Sequence, residues 1–285
     1  MDHLYGTSIE TRRKISYSEI QTYLQCQTMW YLRYVKKLRL DTVHTRFGSM
    51  AHKVLETRNI PLEELYPELK EEFQITNWTS YFSAILNELD SLMSDYEKVD
   101  SEVVVENEYL KGIIDTVWKN KTTGKYLLTD YKFTNTPKDQ MDLLIDQQLY
   151  IYGSMFALEK GIRLDDVEVG YISIPKKELD NPRVLANGKL SKDKAQRTTY
   201  KMYLNKIHEL NLDENDYADI LDALLGRPLI VLEVSRISSR MLERIALNIE
   251  RVWDEMGKGY CLEKCSSFDC KRCDLLKECK LKEDL

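Results

Sequence analysis

No stretch of this sequence approaches the roughly 20 consecutive apolar residues needed to cross a bilayer. The opening MDHLYGTSIETRRK is polar, with no apolar core behind it. Neither a membrane-spanning segment nor a secretory leader is expected, and the expected location is the cytoplasm. An excess of positive charge is also missing: 41 Lys and Arg against 47 Asp and Glu leave a net charge of −6. That argues against a sequence-blind coat on nucleic acid, while leaving room for an acidic site set among local basic patches. Cysteine is nearly absent from the body of the chain, where Cys26 stands alone, but Cys261, Cys265, Cys270, Cys273 and Cys279 fall within nineteen residues. In a cytosolic chain such a cluster favours a metal centre over disulfides. Histidine is scarce too, and of the four only His52 has a context that points to chemistry.

What is present is a length of 285 residues, enough for one large domain or two small ones. With 43% apolar and 31% charged residues the composition is that of a soluble globular protein. The most informative stretch is GIIDTVWKNKTTGKYLLTDYK, from Gly112 to Lys132. Side chains alternate along a strand, so Ile113, Asp115 and Val117 share one face, and Leu128, Asp130 and Lys132 share another. The link NKTTGK carries Asn120 and Gly124, which suit a tight antiparallel connection. Folding it back brings Asp115 near Asp130. Two carboxylates beside a lysine at the ends of buried strands are costly unless something uses them. Mg2+, which takes a few carboxylate oxygens and keeps several waters, satisfies both acids and activates water for attack on a phosphodiester. Lys132 then orients that water or steadies charge on the phosphate.

Along the chain, Ser16-Tyr17-Ser18-Glu19 has the form of a capping box and starts a helix expected to run to Tyr34. Ile20, Tyr23, Leu24, Trp30, Tyr31 and Tyr34 give it an apolar side. A second helix is expected from Phe47 through FGSMAHKVLE, with His52 and Glu56 on one face. Residues 61–98 read as helical and 102–109 as a strand, on which Glu106 is an ordinary exposed acid or one that leans into the site. A helix over 139–160 is expected to turn Met141, Leu144, Ile145, Gln148, Leu149, Tyr152, Met155 and Phe156 inward. Gln148 and Tyr152, one turn apart, are either a satisfied core amide with a packing ring or an amide and a phenol presented to whatever the hairpin binds. VEVGYISI, 167–174, makes another strand. Residues 175–201 are punctuated by Pro175, Pro182, Asn187 and Gly188 and carry eight Lys or Arg against three acids, an excess of +5. They read as a solvated loop or as a mobile basic flap that meets phosphates. Helices follow near 199–210 and 213–225, a strand at 229–236, and a long amphipathic helix over 238–258. Together these spell an α/β fold with a mixed central sheet flanked by helices.

Cys270, Cys273 and Cys279 form C-x2-C-x5-C, three thiols that want a fourth. Cys261 or Cys265 would complete a local knuckle and Cys26 would tie the two ends of the chain together, and the spacing does not choose between zinc and iron–sulfur. In their common order, YLQCQTMWYLRY, GSMAHKVLE, GIID, TDYK, QLYIY and the C-terminal trio resemble the PD-(D/E)XK nuclease superfamily. The closest resemblance is to the RecB-like branch that holds a four-cysteine iron–sulfur cluster and includes the CRISPR adaptation nucleases. The resemblance implies a restriction-endonuclease-like core and a Mg2+- or Mn2+-dependent deoxyribonuclease. His52, Asp115 and Asp130 would be metal ligands, the Tyr131 carbonyl a further one, Lys132 catalytic, and Gln148 and Tyr152 substrate-binding. Cys26, Cys270, Cys273 and Cys279 would hold a [4Fe-4S] cluster joining the N- and C-terminal parts.

The resemblance further implies a single nuclease domain over 1–285. Its parts would be a helical one over 1–98, a catalytic core over 99–174, a basic insertion with helices over 175–237, and the last helix with the cysteine cluster over 238–285. DNA, preferably single-stranded, is the expected partner, and a single-strand exonuclease of recombination, repair or spacer processing the expected function. The alternative is a non-catalytic, cluster-stabilised DNA-binding subunit.

Overall fold

Five strands form one mixed sheet in the order β1-β2-β3-β4-β5. A computed structural model of the chain describes residues 13–38, 41–61, 67–75, 77–225, 228–257, 273, 275 and 279. Strands β1 (Tyr96–Glu106), β2 (Lys111–Asn120) and β3 (Tyr126–Phe133) make an antiparallel meander. Strand β4 (Val167–Ile174) runs parallel to β3, and β5 (Val231–Arg236) is antiparallel to β4. The β2–β3 turn is built from the residues the sequence marks. The Asn120 side-chain oxygen accepts from Thr122 N at 3.0 Å and Thr123 N at 2.8 Å, and Gly124 takes φ 71°. A parallel partner for β3 requires a crossover, supplied here by helices α6 (Gln140–Ile145) and α7 (Gln148–Lys160).

Helices cover both faces of the sheet, and the central strands β3 and β4 are accordingly buried almost continuously rather than at alternate residues. One face is packed by α1 (Tyr17–Gln25), α7 and α10 (Ser239–Gly257), whose Ile20, Tyr150, Phe156, Ile249 and Val252 meet Val117, Leu128 and Val169. The other is packed by α3 (Val43–Thr57), α4 (Pro67–Phe73) and α5 (Trp78–Leu92), whose Phe47, Val54, Phe82 and Ile85 meet Trp118, Leu127 and Ile172. The α/β expectation holds. No helix among the described residues is long and apolar enough to cross a membrane.

Three local expectations change. The first helix breaks at Cys26, which is extended (φ −161°, ψ 108°) and caps both α1 and the short α2 (Gln27–Trp30), its Sγ accepting from Met29 N at 3.3 Å. Only half of the predicted capping box forms. Ser16 Oγ accepts from Glu19 N at 3.2 Å, while the Glu19 carboxylate turns inward to Arg13 and to Trp30 Nε1, and Leu24 faces solvent. The helix over 139–160 is two helices, because Asp146 and Gln147 interrupt it and the Asp146 side chain accepts from Gln148 N at 3.0 Å. Met141, Leu144 and Ile145 are therefore exposed, on the far side of a break the apolar spacing does not register.

The basic segment is also more ordered than a loose flap. Leu190 enters a third core with Tyr203 and Ile207 of α8 (Tyr200–Glu209) and with Tyr217, Ile220 and Leu224 of the turn and helix α9 (Ala218–Leu225) that follow. Leu190 N donates to Tyr217 Oη at 3.1 Å, and Arg197 pairs with Asp180 at 3.2 Å.

Candidate active site

The β2–β3 ladder ends at the Thr116–Thr129 pair. Past that point the Tyr131 N–H, left without a strand carbonyl, donates to Asp115 Oδ2 at 2.8 Å. The hairpin thus opens where the two aspartates stand, and a backbone group that must be satisfied is satisfied by a catalytic-type side chain. Helix α3 packs over this opening with Phe47, Met50, Ala51, Val54 and Leu55 buried, which brings His52 Nδ1 to 3.4 Å from Asp115 Oδ2. The His52 ring also shares a hydrogen bond with the Tyr131 backbone. Lys132 Nζ lies 2.8 Å from Asp130 Oδ2. His52, Asp115, Asp130, Tyr131 and Lys132 are therefore gathered at one place.

The electrostatics are those of an acidic site short of positive charge. Burial pushes the Asp115 carboxyl up to about 7, with the neighbouring Asp130 adding to the rise and the Tyr131 N–H opposing it. Asp130, 9% exposed, is raised by burial despite Lys132 beside it, and its Oδ2 has no hydrogen bond of good geometry. Burial lowers His52, with Asp130 and Glu102 pulling the other way. For Lys132 burial acts downward, yet Asp130, Asp146 and Asp115 together outweigh it and leave the ammonium raised. Such displaced carboxylates mark a site built for a charge that is not one of its own side chains.

Gln148 and Tyr152 lie on α7, Gln148 half-buried at its first turn and Tyr152 buried. Gly112 makes the placing of Tyr152 possible, since a Cβ at that position would fall 2.3 Å from Tyr152 Cζ. Burial raises the Tyr152 hydroxyl, with Asp130 and Asp146 contributing, so the phenol sits within the field of the site.

Sequence reasoning missed three residues. Glu102 lies on β1 between the Ser101–Thr116 and Val103–Ile114 pairs, hence opposite Asp115, and has φ 52°. Among the described residues one group of three can hold a metal ion, namely His52, Glu102 and Asp115, each offering a ligand atom within 4.8 Å of the others. Glu106, which the sequence left as an exposed strand acid or one leaning into the site, is the exposed one, paired with Lys14 at 2.7 Å. Pairing across the 107–110 turn is the signal that would have selected Glu102. Asp146 and Tyr171 are the other two. The Tyr171 hydroxyl donates to Asp146 Oδ2, and the Tyr171 ring lies under Lys132 Nζ, 5.2 Å from its centroid.

Of the cysteines, Cys26 stands at its helix break, and Cys273 and Cys279 are half-buried, Cys279 N donating to the carbonyl of the buried Leu275 at 3.0 Å. Cys261, Cys265 and Cys270 lie outside the described residues.

No curated protein matches the sequence. Among solved structures, a candidate exonuclease from Eubacterium rectale is similar at 12% identity, over 81% of this chain and 87% of that one, with a TM-score of 0.38. The model of the PD-(D/E)XK nuclease superfamily matches residues 14–280. That span takes in the helix of His52, the opened hairpin and α7 in a single alignment, and on it the chain belongs to the PD-(D/E)XK nuclease superfamily.

Proposed function

We propose that the chain is a Mg2+- or Mn2+-dependent deoxyribonuclease that cuts phosphodiester bonds at the opened end of the β2–β3 hairpin. One observation carries the reading. Glu102 and Asp115 lie within ligand reach of one another beside His52, Asp130 lies next to the single ammonium of Lys132, and burial opposes the ionisation of Asp115 and Asp130, so carboxylate is in excess. An oxygen-preferring divalent cation has the charge and the ligand taste to relieve that excess. His52, Asp115 and Asp130 would hold it, with the Tyr131 carbonyl and Glu102 at its sides. The cation supplies charge neutralisation at the phosphate and a lowered pKa for water.

The chain's own groups do the rest. The Tyr131 N–H fixes the Asp115 carboxylate, and Asp130 holds the Lys132 ammonium at 2.8 Å, from which it orients the attacking water and steadies charge on the phosphate. Gln148 and Tyr152 face the substrate from α7. That helix closes one side of the site, its Tyr152 lying against Gly112, which suits a threaded single strand better than a rigid duplex.

Within the superfamily we place the chain in the RecB-like branch, acting as a single-strand exonuclease in recombination, repair or spacer processing. Cys26, Cys270, Cys273 and Cys279 would hold a [4Fe-4S] cluster. The break that turns Cys26 out of its helix supports a ligand role over a packing one.

The test is cleavage of end-labelled single-stranded and duplex DNA by anaerobically purified protein, in EDTA and in Mn2+. Cleavage of the single strand in Mn2+ alone is expected. Cleavage undiminished in EDTA, or absent with either substrate in Mn2+, would end the proposal.

A further inference from the structure

A cavity of about 640 Å³ opens at the C-terminal ends of β3 and β4, within the range of pockets that hold a small organic ligand, ~300–1,000 Å³. It adjoins the site. Ser173, in its wall, is the register partner of Lys132 on the neighbouring parallel strand, so the two side chains leave the sheet on the same face. Thr134, two residues beyond Lys132, is also in the wall.

The opposite wall is the ordered basic segment, which contributes Lys177, Ala195, Arg197 and Thr198. Arg197 is committed to Asp180, but Lys177 has no ion-pair partner among the described residues. Thr198 is 7% exposed, and its hydroxyl has no hydrogen-bond partner among the described residues. Thr199, beside it in the wall, is the N-cap of the ten-residue α8, the end of a helix that favours an anion.

A free ammonium and a helix start, in a cavity one strand away from the lysine of the site, suit a phosphate-bearing ligand. We infer that this cavity is a nucleotide subsite. It holds the sugar–phosphate backbone of the nucleotides adjoining the scissile bond on one side. The inference rests on the nuclease reading above and adds to it the point at which the strand is gripped.

The experiment compares wild type, Lys177→Glu and Ala195→Trp on short single strands in Mn2+, lengthened one nucleotide at a time on either side of the cleaved bond. Lys177→Glu reverses the free charge, and Ala195→Trp fills the cavity without touching a charge. For wild type, KM is expected to fall about tenfold, worth one decade of binding, as the strand grows into the cavity from one side. Both variants should lose that gain and keep the wild-type kcat on the shortest strand. If wild type cuts but shows no length gain, or if both variants retain it, the subsite is overturned and the nuclease stands. A wild-type protein that cuts no strand overturns the nuclease reading itself.

Discussion

Replacing Asp115 by Asn removes a charge that the metal-free fold pays to bury. The carboxylate is 16% exposed, is raised from 3.8 to about 7, and accepts from Tyr131 N at 2.8 Å. An acid whose folded pKa lies above its unfolded value stabilises the fold below the unfolded pKa, and that stability is lost as pH rises through the folded one. Here the loss runs from about pH 4 to about pH 7. A shift of about three units corresponds to about 4 kcal/mol at pH 8. The burden is shared with Asp130, so about 2 kcal/mol is the gain expected from Asp115→Asn alone. The amide still accepts from Tyr131 but carries no charge. In EDTA the variant should therefore melt above wild type at pH 8, with its advantage cut to about 1 kcal/mol at pH 5. Mn2+ should reverse the order, since a ligand at a hundred times its Kd adds about 3 kcal/mol to a protein that binds it, and the variant lacks the ligand. Thermal and urea melts at both pH values, with EDTA or Mn2+, read all of this. A variant less stable than wild type in EDTA at pH 8, and equally stabilised by Mn2+, would refute the reasoning.

Lys132→Met should lower cleavage by about 100-fold and destabilise the fold by about 3 kcal/mol, because it strands the buried Asp130. Adding Asp130→Asn should restore stability and not activity, and a double variant as unstable as the single would refute the pairing. Gly112→Ala should cost about 1–3 kcal/mol by displacing the Tyr152 ring, and much less in a Tyr152→Leu background; additive costs in urea titration would show that the ring does not lie on Gly112. Cys26→Ser should strip iron and colour from anaerobically purified protein, while Cys261→Ser should not. Unchanged iron in the first variant would remove Cys26 from the proposed cluster.

The opened hairpin was legible in the sequence because strand alternation and a turn marked by Asn120 and Gly124 are local signals, and they placed Asp115, Asp130 and Lys132 together. The long helix α10 was legible for the same reason, its buried Ile245, Ile249, Val252 and Met256 keeping helical spacing. The helix breaks were not. Apolar spacing carried Met141, Leu144 and Ile145 into one stripe with Leu149, but Asp146 spends its carboxylate on Gln148 N and on the Tyr171 hydroxyl, a contact 25 residues away that no local pattern contains. Glu102 escaped because its role depends on register across a turn and on a left-handed backbone. The basic segment looked loose because its order comes from distant partners, with Leu190 held by Tyr217.

The central claim is that Asp130 and its neighbours form a cation-dependent phosphodiesterase site. Single-turnover cleavage of end-labelled single-stranded DNA in Mn2+, by wild type and by Asp130→Asn, tests it most directly. The rate in the variant should be lower by about 100-fold or more, with a melting point in EDTA no lower than that of wild type. Cleavage by Asp130→Asn at the wild-type rate would contradict it.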